Sequence, residues 1–181
     1  MLVAKQVADF ITATRAAIGF GLVWLGITQR TDGLRFAIWL LLFDWAGDAI
    51  DGSLARRSSR QYRTWIGDHD LEVDMVVSAG LLIYMLAAGY INVWVSVFYF
   101  ALWTLVFWRL GIPRSLGMLF QAPIYGWFII VSLQYAPDSG RWLLVYIFSI
   151  VIITWPRFPK EVVPGFLLGF QHILTRDRRD Q

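Results

Sequence analysis

The sequence predicts an all-α integral membrane protein with six transmembrane helices. Of its 181 residues, 57% are hydrophobic and 16% are charged, against roughly 25% charged in an ordinary soluble domain. Ten Trp, seven Tyr and thirteen Phe suit a lipid-facing surface with interfacial aromatic residues. A chain of this length holds about six spans of ~20 residues and little else. We therefore expect one membrane domain over residues 1–181, and the absence of Cys excludes thiolate chemistry.

The first two predicted spans, residues 8–28 and 34–53, are apolar but carry charged side chains. These are Asp9, Arg15, Asp44, Asp48 and Asp51. An ionisable group in contact with lipid costs several kcal/mol, so such groups face a protein-lined, wet cavity. The first two helices are therefore expected to contribute to a functional site.

The other four spans come from long uncharged segments. No charged residue occurs from 75 to 108, and a break at residues 89–92 divides this run into spans three and four. Residues 115–137 and 142–155 form spans five and six. After span six, Pro164 is expected to open an interfacial helix with an apolar face.

The distribution of positive charge predicts the orientation. Thirteen of the sixteen Lys and Arg residues fall on the side that holds both termini, and cytoplasmic loops collect positive charge. Both termini are therefore predicted to lie in the cytoplasm, and the protein is predicted to lie in the cell's inner membrane. The net charge of +3 is too small to indicate a nucleic-acid partner.

Two pairs of carboxylates stand near the predicted cytoplasmic surface. Asp48 and Asp51 are three residues apart, and Asp70 and Asp74 are four apart, so each pair shares one helix face. A short loop makes their helices antiparallel neighbours, which brings the pairs to one depth. Converging carboxylates of this kind favour a hard divalent cation, Mg²⁺ or Mn²⁺, and two such ions can clamp a phosphoryl group.

A family resemblance rests on these same residues. The segment from Asp48 to Arg56, DAIDGSLAR, followed by Asp70-x-x-x-Asp74, resembles the signature of CDP-alcohol phosphatidyltransferases. That signature reads D-x-x-D-G-x-x-A-R and then G-x-x-x-D-x-x-x-D. Thr12-Ala13-Thr14-Arg15 is similar to a T-x-x-R element found in many members. The chain departs from the pattern at its second glycine, because Gly67 stands one residue after the expected position.

The resemblance implies transfer of a phosphatidyl-type group from a CDP-linked lipid to an acceptor alcohol, with release of CMP. It implies a metal site for two ions at Asp48, Asp51, Asp70 and Asp74, with Asp74 also as the general base. The residues implied for nucleotide and diphosphate binding are Asp48, Asp51, Gly52, Ala55, Arg56 and Gly67. A homodimer is also expected. In size the chain is similar to phosphatidylglycerophosphate synthases, which favours glycerol 3-phosphate as the acceptor.

Other residues and other functions remain open at this point. Arg63, Arg109 and Arg114 lie at the predicted cytoplasmic face, where they could bind a phosphorylated acceptor. Glu72 and His69 flank the second pair, and Asp44 lies one turn before Asp48, outside the signature. The alternatives are an intramembrane prenyltransferase, a transporter, or a catalytically silent member of the family.

Overall fold

The computed structural model describes residues 2–57 and 70–155, together with residues 160 and 164. Side chains are described for residues 10–50, 71–155, 160 and 164. Six long helices follow one another along the chain. They are α1 (Leu2–Thr28), α2 (Leu34–Arg57), α3 (Asp70–Ala87), α4 (Val93–Leu110), α5 (Arg114–Tyr135) and α6 (Pro137–Thr154). A 3-10 turn, Arg30–Gly33, connects α1 to α2, and the described residues contain no strand.

Four of these helices are long and apolar enough to cross a membrane. They are Phe10–Thr28 within α1, and the whole of α4, α5 and α6. The other two long helices carry more charge: α3 contains Asp70, Glu72 and Asp74 in its first two turns. Many large apolar side chains are exposed on the bundle, among them Phe10, Trp24 and Phe98. Such a surface is typical of helices that face lipid.

Close contact between α1 and α3 forms the centre of the bundle, and glycine makes it possible. A Cβ atom added to Gly80 would lie 2.3 Å from the carbonyl oxygen of Gly19. One added to Gly26 would lie 2.9 Å from the Cα of Tyr84. Small residues allow backbones to approach in this way between membrane helices. The fully buried side chains around this contact include Leu22, Leu41, Val77, Leu81, Tyr84 and Met85.

Helix α5 joins this centre to the rest of the molecule. Gly117 faces the side chain of Leu71 on α3, and Gly140 of α6 lies against the backbone of Ser132. Helix α6 begins at Pro137, five residues before the predicted start of span six. Proline suits the first helical position because its missing N–H would have no helical partner there.

Helix α4 lies at the edge of the bundle. It is attached through an aromatic cluster in which the rings of Trp103 and Phe107 lie 5.7 Å and 5.8 Å from the ring of Phe120 on α5. Its other face exposes Trp94, Phe98 and Trp108. Gly111, with φ of 75°, ends the helix, and its N–H donates to the carbonyl of Phe107 at 2.9 Å.

Candidate functional site

The side chain of Arg15 lies at the centre of the candidate site and is only 3% exposed. Its Nε donates to Oδ1 of Asp44 at 3.0 Å, and one terminal nitrogen lies 3.1 Å from Oδ1 of Asp48. The other terminal nitrogen donates to Asp74. One guanidinium therefore connects α1 to two carboxylates of α2 and one of α3.

The electrostatics explain why these four side chains lie together. A buried cation requires paired anions and well-aligned hydrogen bonds, and the planar guanidinium provides five donors in a fixed geometry. Asp44 is almost completely buried, whereas the side chain of Asp48 is 54% exposed and that of Asp74 is 27% exposed. Within the described part of the chain, these three carboxylates and one guanidinium carry a formal charge of −2 when all are ionised.

A cavity of about 460 Å³ opens beside this cluster. Its size is in the range of sites that bind small molecules. Helices α1, α2, α3 and α5 all contribute to its wall. The lining residues are Arg15, Asp44, Trp45, Asp48, Leu71, Asp74, Arg114, Met118, Gln121 and Tyr125.

Aromatic side chains separate this polar cavity from an apolar groove. The ring of Trp45 lies 5.6 Å from that of Tyr125, edge to face, and 5.8 Å from that of Tyr146. The hydroxyl of Tyr146 also donates to the backbone carbonyl of Trp45 at 2.7 Å. Beyond Trp45 lies a groove of about 350 Å³ between α2 and α6, lined by Trp39, Leu42, Phe43, Ala46, Trp142, Val145, Tyr146 and Ser149.

The predicted metal and nucleotide residues fall partly within the described chain. Asp48 and Asp74 both contact Arg15, so one residue of each predicted pair reaches the same guanidinium. Asp51, Gly52, Ala55 and Arg56 belong to α2, and Asp70 is the first residue of α3. The side chains of these five residues lie outside the described set, and so does the whole of Gly67.

The three arginines predicted to bind the acceptor have different positions. Arg114, in the first turn of α5, lines the cavity. Arg109 is exposed in the last turn of α4 and is not among the lining residues. Arg63 lies outside the described residues, as does the interfacial helix expected after Pro164.

The donor set determines whether a divalent cation suits this site. Among the described residues, no group of three or more His, Asp or Glu side chains is arranged to hold a metal ion, and Asp44, Asp48 and Asp74 each contact Arg15. Asp48 and Asp74 also line an open cavity, and carboxylate oxygens are the donors that Mg²⁺ and Mn²⁺ prefer. The donor chemistry of these two residues is therefore compatible with such an ion, and Asp51 and Asp70 are its further predicted ligands.

Several residues of the site do not follow from the sequence pattern. Asp44 precedes Asp48 by one helical turn, and this spacing, which puts the two side chains on one helix face, is the only sign in the sequence that Asp44 belongs to the cluster. Gln121 and Tyr125 are isolated polar residues in the apolar sequence of span five. Only the packing of α5 against α3 brings them to the carboxylates.

Comparison with family models, curated proteins and solved structures gives no match for this chain. The arrangement of the site's own residues therefore carries the functional interpretation.

Proposed function

We propose that this protein is a membrane-bound CDP-alcohol phosphatidyltransferase of phospholipid biosynthesis. The observation that carries the proposal is the meeting of Asp48 and Asp74, two signature carboxylates from different helices, at one wall of an open polar cavity. The apolar groove beside Trp45 adds support. A lipid-linked nucleotide has a polar head and apolar chains, and a polar cavity next to an apolar groove suits both parts.

The reaction exchanges one phosphorus–oxygen bond for another. A hydroxyl oxygen of the acceptor attacks the lipid-linked phosphorus of the CDP-lipid, and a new phosphorus–oxygen bond forms. The bond from that phosphorus to the oxygen of CMP breaks, and CMP leaves with the bonding electrons. Asp74 accepts the proton of the attacking hydroxyl, which requires its carboxylate to lie within hydrogen-bond reach of that hydroxyl.

The other residues bind and orient the reactants. When bound at Asp48, Asp51, Asp70 and Asp74, Mg²⁺ or Mn²⁺ would neutralise the charge of the diphosphate. Arg15 holds Asp48 and Asp74 at a fixed separation through its two terminal nitrogens. Arg56 contributes paired donors to phosphate oxygens, and Arg114 lines the cavity, where it can bind a phosphorylated acceptor such as glycerol 3-phosphate.

The proposed topology places this chemistry at the cytoplasmic face of the inner membrane. All six long helices span the bilayer in this proposal, with both termini in the cytoplasm. Helices α2 and α3 carry the acids, and their polar faces are turned to the cavity rather than to lipid. The donor then enters from the membrane and the acceptor enters from the cytoplasm.

The test is CMP release by purified protein in detergent or liposomes. CDP-diacylglycerol is supplied with Mg²⁺ or Mn²⁺ and a panel of acceptors comprising glycerol 3-phosphate, inositol phosphate and serine. We expect CMP release that requires both metal and one acceptor. Asp48→Asn, Asp51→Asn and Asp70→Asn should each abolish it, with Asp138→Asn, at an exposed ion pair outside the site, as the matched control.

Other outcomes of this experiment would support the alternatives. Full activity in excess chelator contradicts the metal site. Metal-dependent consumption of a prenyl diphosphate in place of CDP-diacylglycerol would indicate an intramembrane prenyltransferase. Binding of CDP-diacylglycerol without turnover would indicate a silent member of the family, and ion or solute flux in liposomes without CMP release would indicate a transporter.

A further inference from the structure

One face of α5 forms the wall of the cavity opposite the carboxylates. Arg114, Met118, Gln121 and Tyr125 all line the cavity, and their spacings of four, three and four residues place them on a single helix face. Arg114 begins the helix, and Gln121 follows about 10 Å further along its axis. The wall therefore has a cation near one end and neutral polar groups deeper inside.

Gln121 is the residue of this wall whose hydrogen bonding is incomplete. Its side-chain nitrogen Nε2 is buried and has no hydrogen-bond partner within the part of the chain that the structure describes. A buried amide donor without an acceptor is unfavourable by about 1–3 kcal/mol. An unsatisfied buried donor in a native protein calls for an explanation, and a functional role is one of them.

The position of Gln121 indicates which part of a ligand it meets. Asp48 on α2 and Asp74 on α3 line the same cavity, where the reacting phosphorus is proposed to bind. A neutral amide in the same cavity as Arg114 suits a hydroxyl-bearing segment, since an amide both donates and accepts hydrogen bonds. A small polyol phosphate has this order of groups, with phosphate at one end and hydroxyls at the other.

We propose that Gln121 is a positioning residue for the acceptor alcohol. Gln121 lines the cavity while its Nε2 is buried, so rotation of the side chain brings the amide to the cavity. There it donates a hydrogen bond to a hydroxyl oxygen of the acceptor, while Arg114 binds the phosphate. This orients the reacting hydroxyl towards Asp74. The inference rests on the proposed transferase function and deepens it, because it assigns the specificity for the acceptor to α5.

The test combines Gln121→Met, which keeps the side-chain length and removes both polar groups, with Gln121→Glu, which keeps the shape and removes the donor. Glycerol 3-phosphate is the acceptor probe and CDP-diacylglycerol is the donor. We expect the KM for glycerol 3-phosphate to rise about tenfold or more in both variants, in keeping with the loss of a buried hydrogen bond. The Kd for CDP-diacylglycerol, measured without acceptor, should be unchanged.

A second measurement separates positioning from a structural role. Gln121→Met removes a buried donor that has no partner among the described residues, so its Tm without substrates should equal or exceed that of the wild type. Leu119→Met, at an exposed position on a different face of α5, is the matched control and should leave the acceptor KM within about twofold. Gln121→Asn, which retains the donor on a shorter chain, should recover part of the acceptor affinity.

Three results would overturn the inference in distinguishable ways. An unchanged acceptor KM with a lower Tm would make Gln121 a structural residue. An equal loss of donor affinity would assign Gln121 to the nucleotide instead. If the wild-type protein releases no CMP from CDP-diacylglycerol, the proposed function is wrong, and the assignment of Gln121 is wrong with it.

Discussion

Arg15 depends on its carboxylate partners for its buried position. Asp44 is the most buried of the three and binds Nε of the guanidinium. A hydrogen bond to a charged group contributes about 1.5–3 kcal/mol, so we expect Asp44→Asn to lower the free energy of unfolding by about that amount. Thermal unfolding in detergent, followed by circular dichroism, measures the change.

The matched control is Asp138→Asn. Asp138 forms an ion pair with Arg141 at 2.9 Å, but its side chain is 81% exposed. Exposed pairs of this type contribute about 0–1 kcal/mol, so the control should barely change Tm. Equal decreases in the two variants would contradict the role given to Asp44.

Asp74 is expected to act as a base as well as a metal ligand. Asparagine retains an oxygen ligand but cannot accept a proton at neutral pH, so Asp74→Asn should lower turnover by a factor of about 10²–10⁴ while CDP-lipid binding is largely kept. Asp48→Asn should instead weaken donor binding, because the diphosphate loses neutralising cations. Titration of CDP-lipid together with single-turnover CMP release separates the two effects. Equal loss of donor affinity in Asp74→Asn and Asp48→Asn would show that Asp74 is chiefly a metal ligand. Glu72 and His69 would then be the next candidates for the base.

The sequence predicts some of these residues better than others, for physical reasons. Helical spacing is local, so the sequence alone predicts that Asp70 and Asp74 share one face and that Asp48 and Asp51 share another. Two partners of Arg15 are distant in sequence: Asp44 follows it by 29 residues and Asp74 by 59 residues. Those contacts depend on how α1 packs against α2 and α3, and no local pattern contains that information.

At the scale of the helices, the close contact between α1 and α3 leaves no room for a side chain at the glycine positions where they touch. Gly80→Ala would introduce a Cβ atom 2.3 Å from the carbonyl oxygen of Gly19, which forces the helices apart. We expect a loss of stability of about 1–3 kcal/mol, as for overpacked cores. Gly21→Ala is the matched control, since no atom lies within 4 Å of its Cβ position; it should be neutral or stabilising by up to about 1 kcal/mol. Similar melting temperatures for the two variants would argue against the close helix contact.

The groove between α2 and α6 gives a prediction about the donor's chains. Ala46→Phe places a ring in this apolar groove, so it should lower kcat/KM for long-chain CDP-diacylglycerol about tenfold and affect a short-chain analogue much less. Val95→Phe is the control, because Val95 lines a different apolar groove between α3, α4 and α5. If both variants lose activity equally with both donors, the groove does not hold the chains.

Helix boundaries were predictable where the sequence contains a local signal for them. The break at residues 89–92 corresponds to the end of α3 and to Asn92, whose side chain accepts a hydrogen bond from the N–H of Trp94 at 2.8 Å. The start of α6 was predicted too late, because Asp138 and Arg141 read as loop residues although they form an exposed ion pair within the helix. Hydropathy alone does not distinguish a polar first turn from a loop.

At the scale of the whole molecule, the family resemblance implies a homodimer, and the charge-free spans three and four are the ones expected to contact the second copy. Of these two, α3 packs at the centre of the bundle, so the exposed face of α4 is the surface on which we expect a second copy to bind. Phe98 on α4 and Phe20 on α1 are both 70% exposed, and the chain has no natural cysteine. Phe98→Cys should therefore form a disulfide-linked dimer in oxidised membranes, whereas Phe20→Cys should not. Absence of cross-linking in Phe98→Cys, together with a monomeric mass in mild detergent, would contradict this interface.

The central place of Arg15 also has a consequence for biosynthesis. Arg15 is synthesised before Asp44 and Asp74, and Asp74 follows it by 59 residues, which corresponds to about 3–12 s of translation. During that interval the nascent first helix carries a cation whose later partners have not yet been synthesised, and an arginine in contact with lipid is unfavourable. The buried cation of the first helix therefore gains its full set of partners only after the second and third helices have been synthesised.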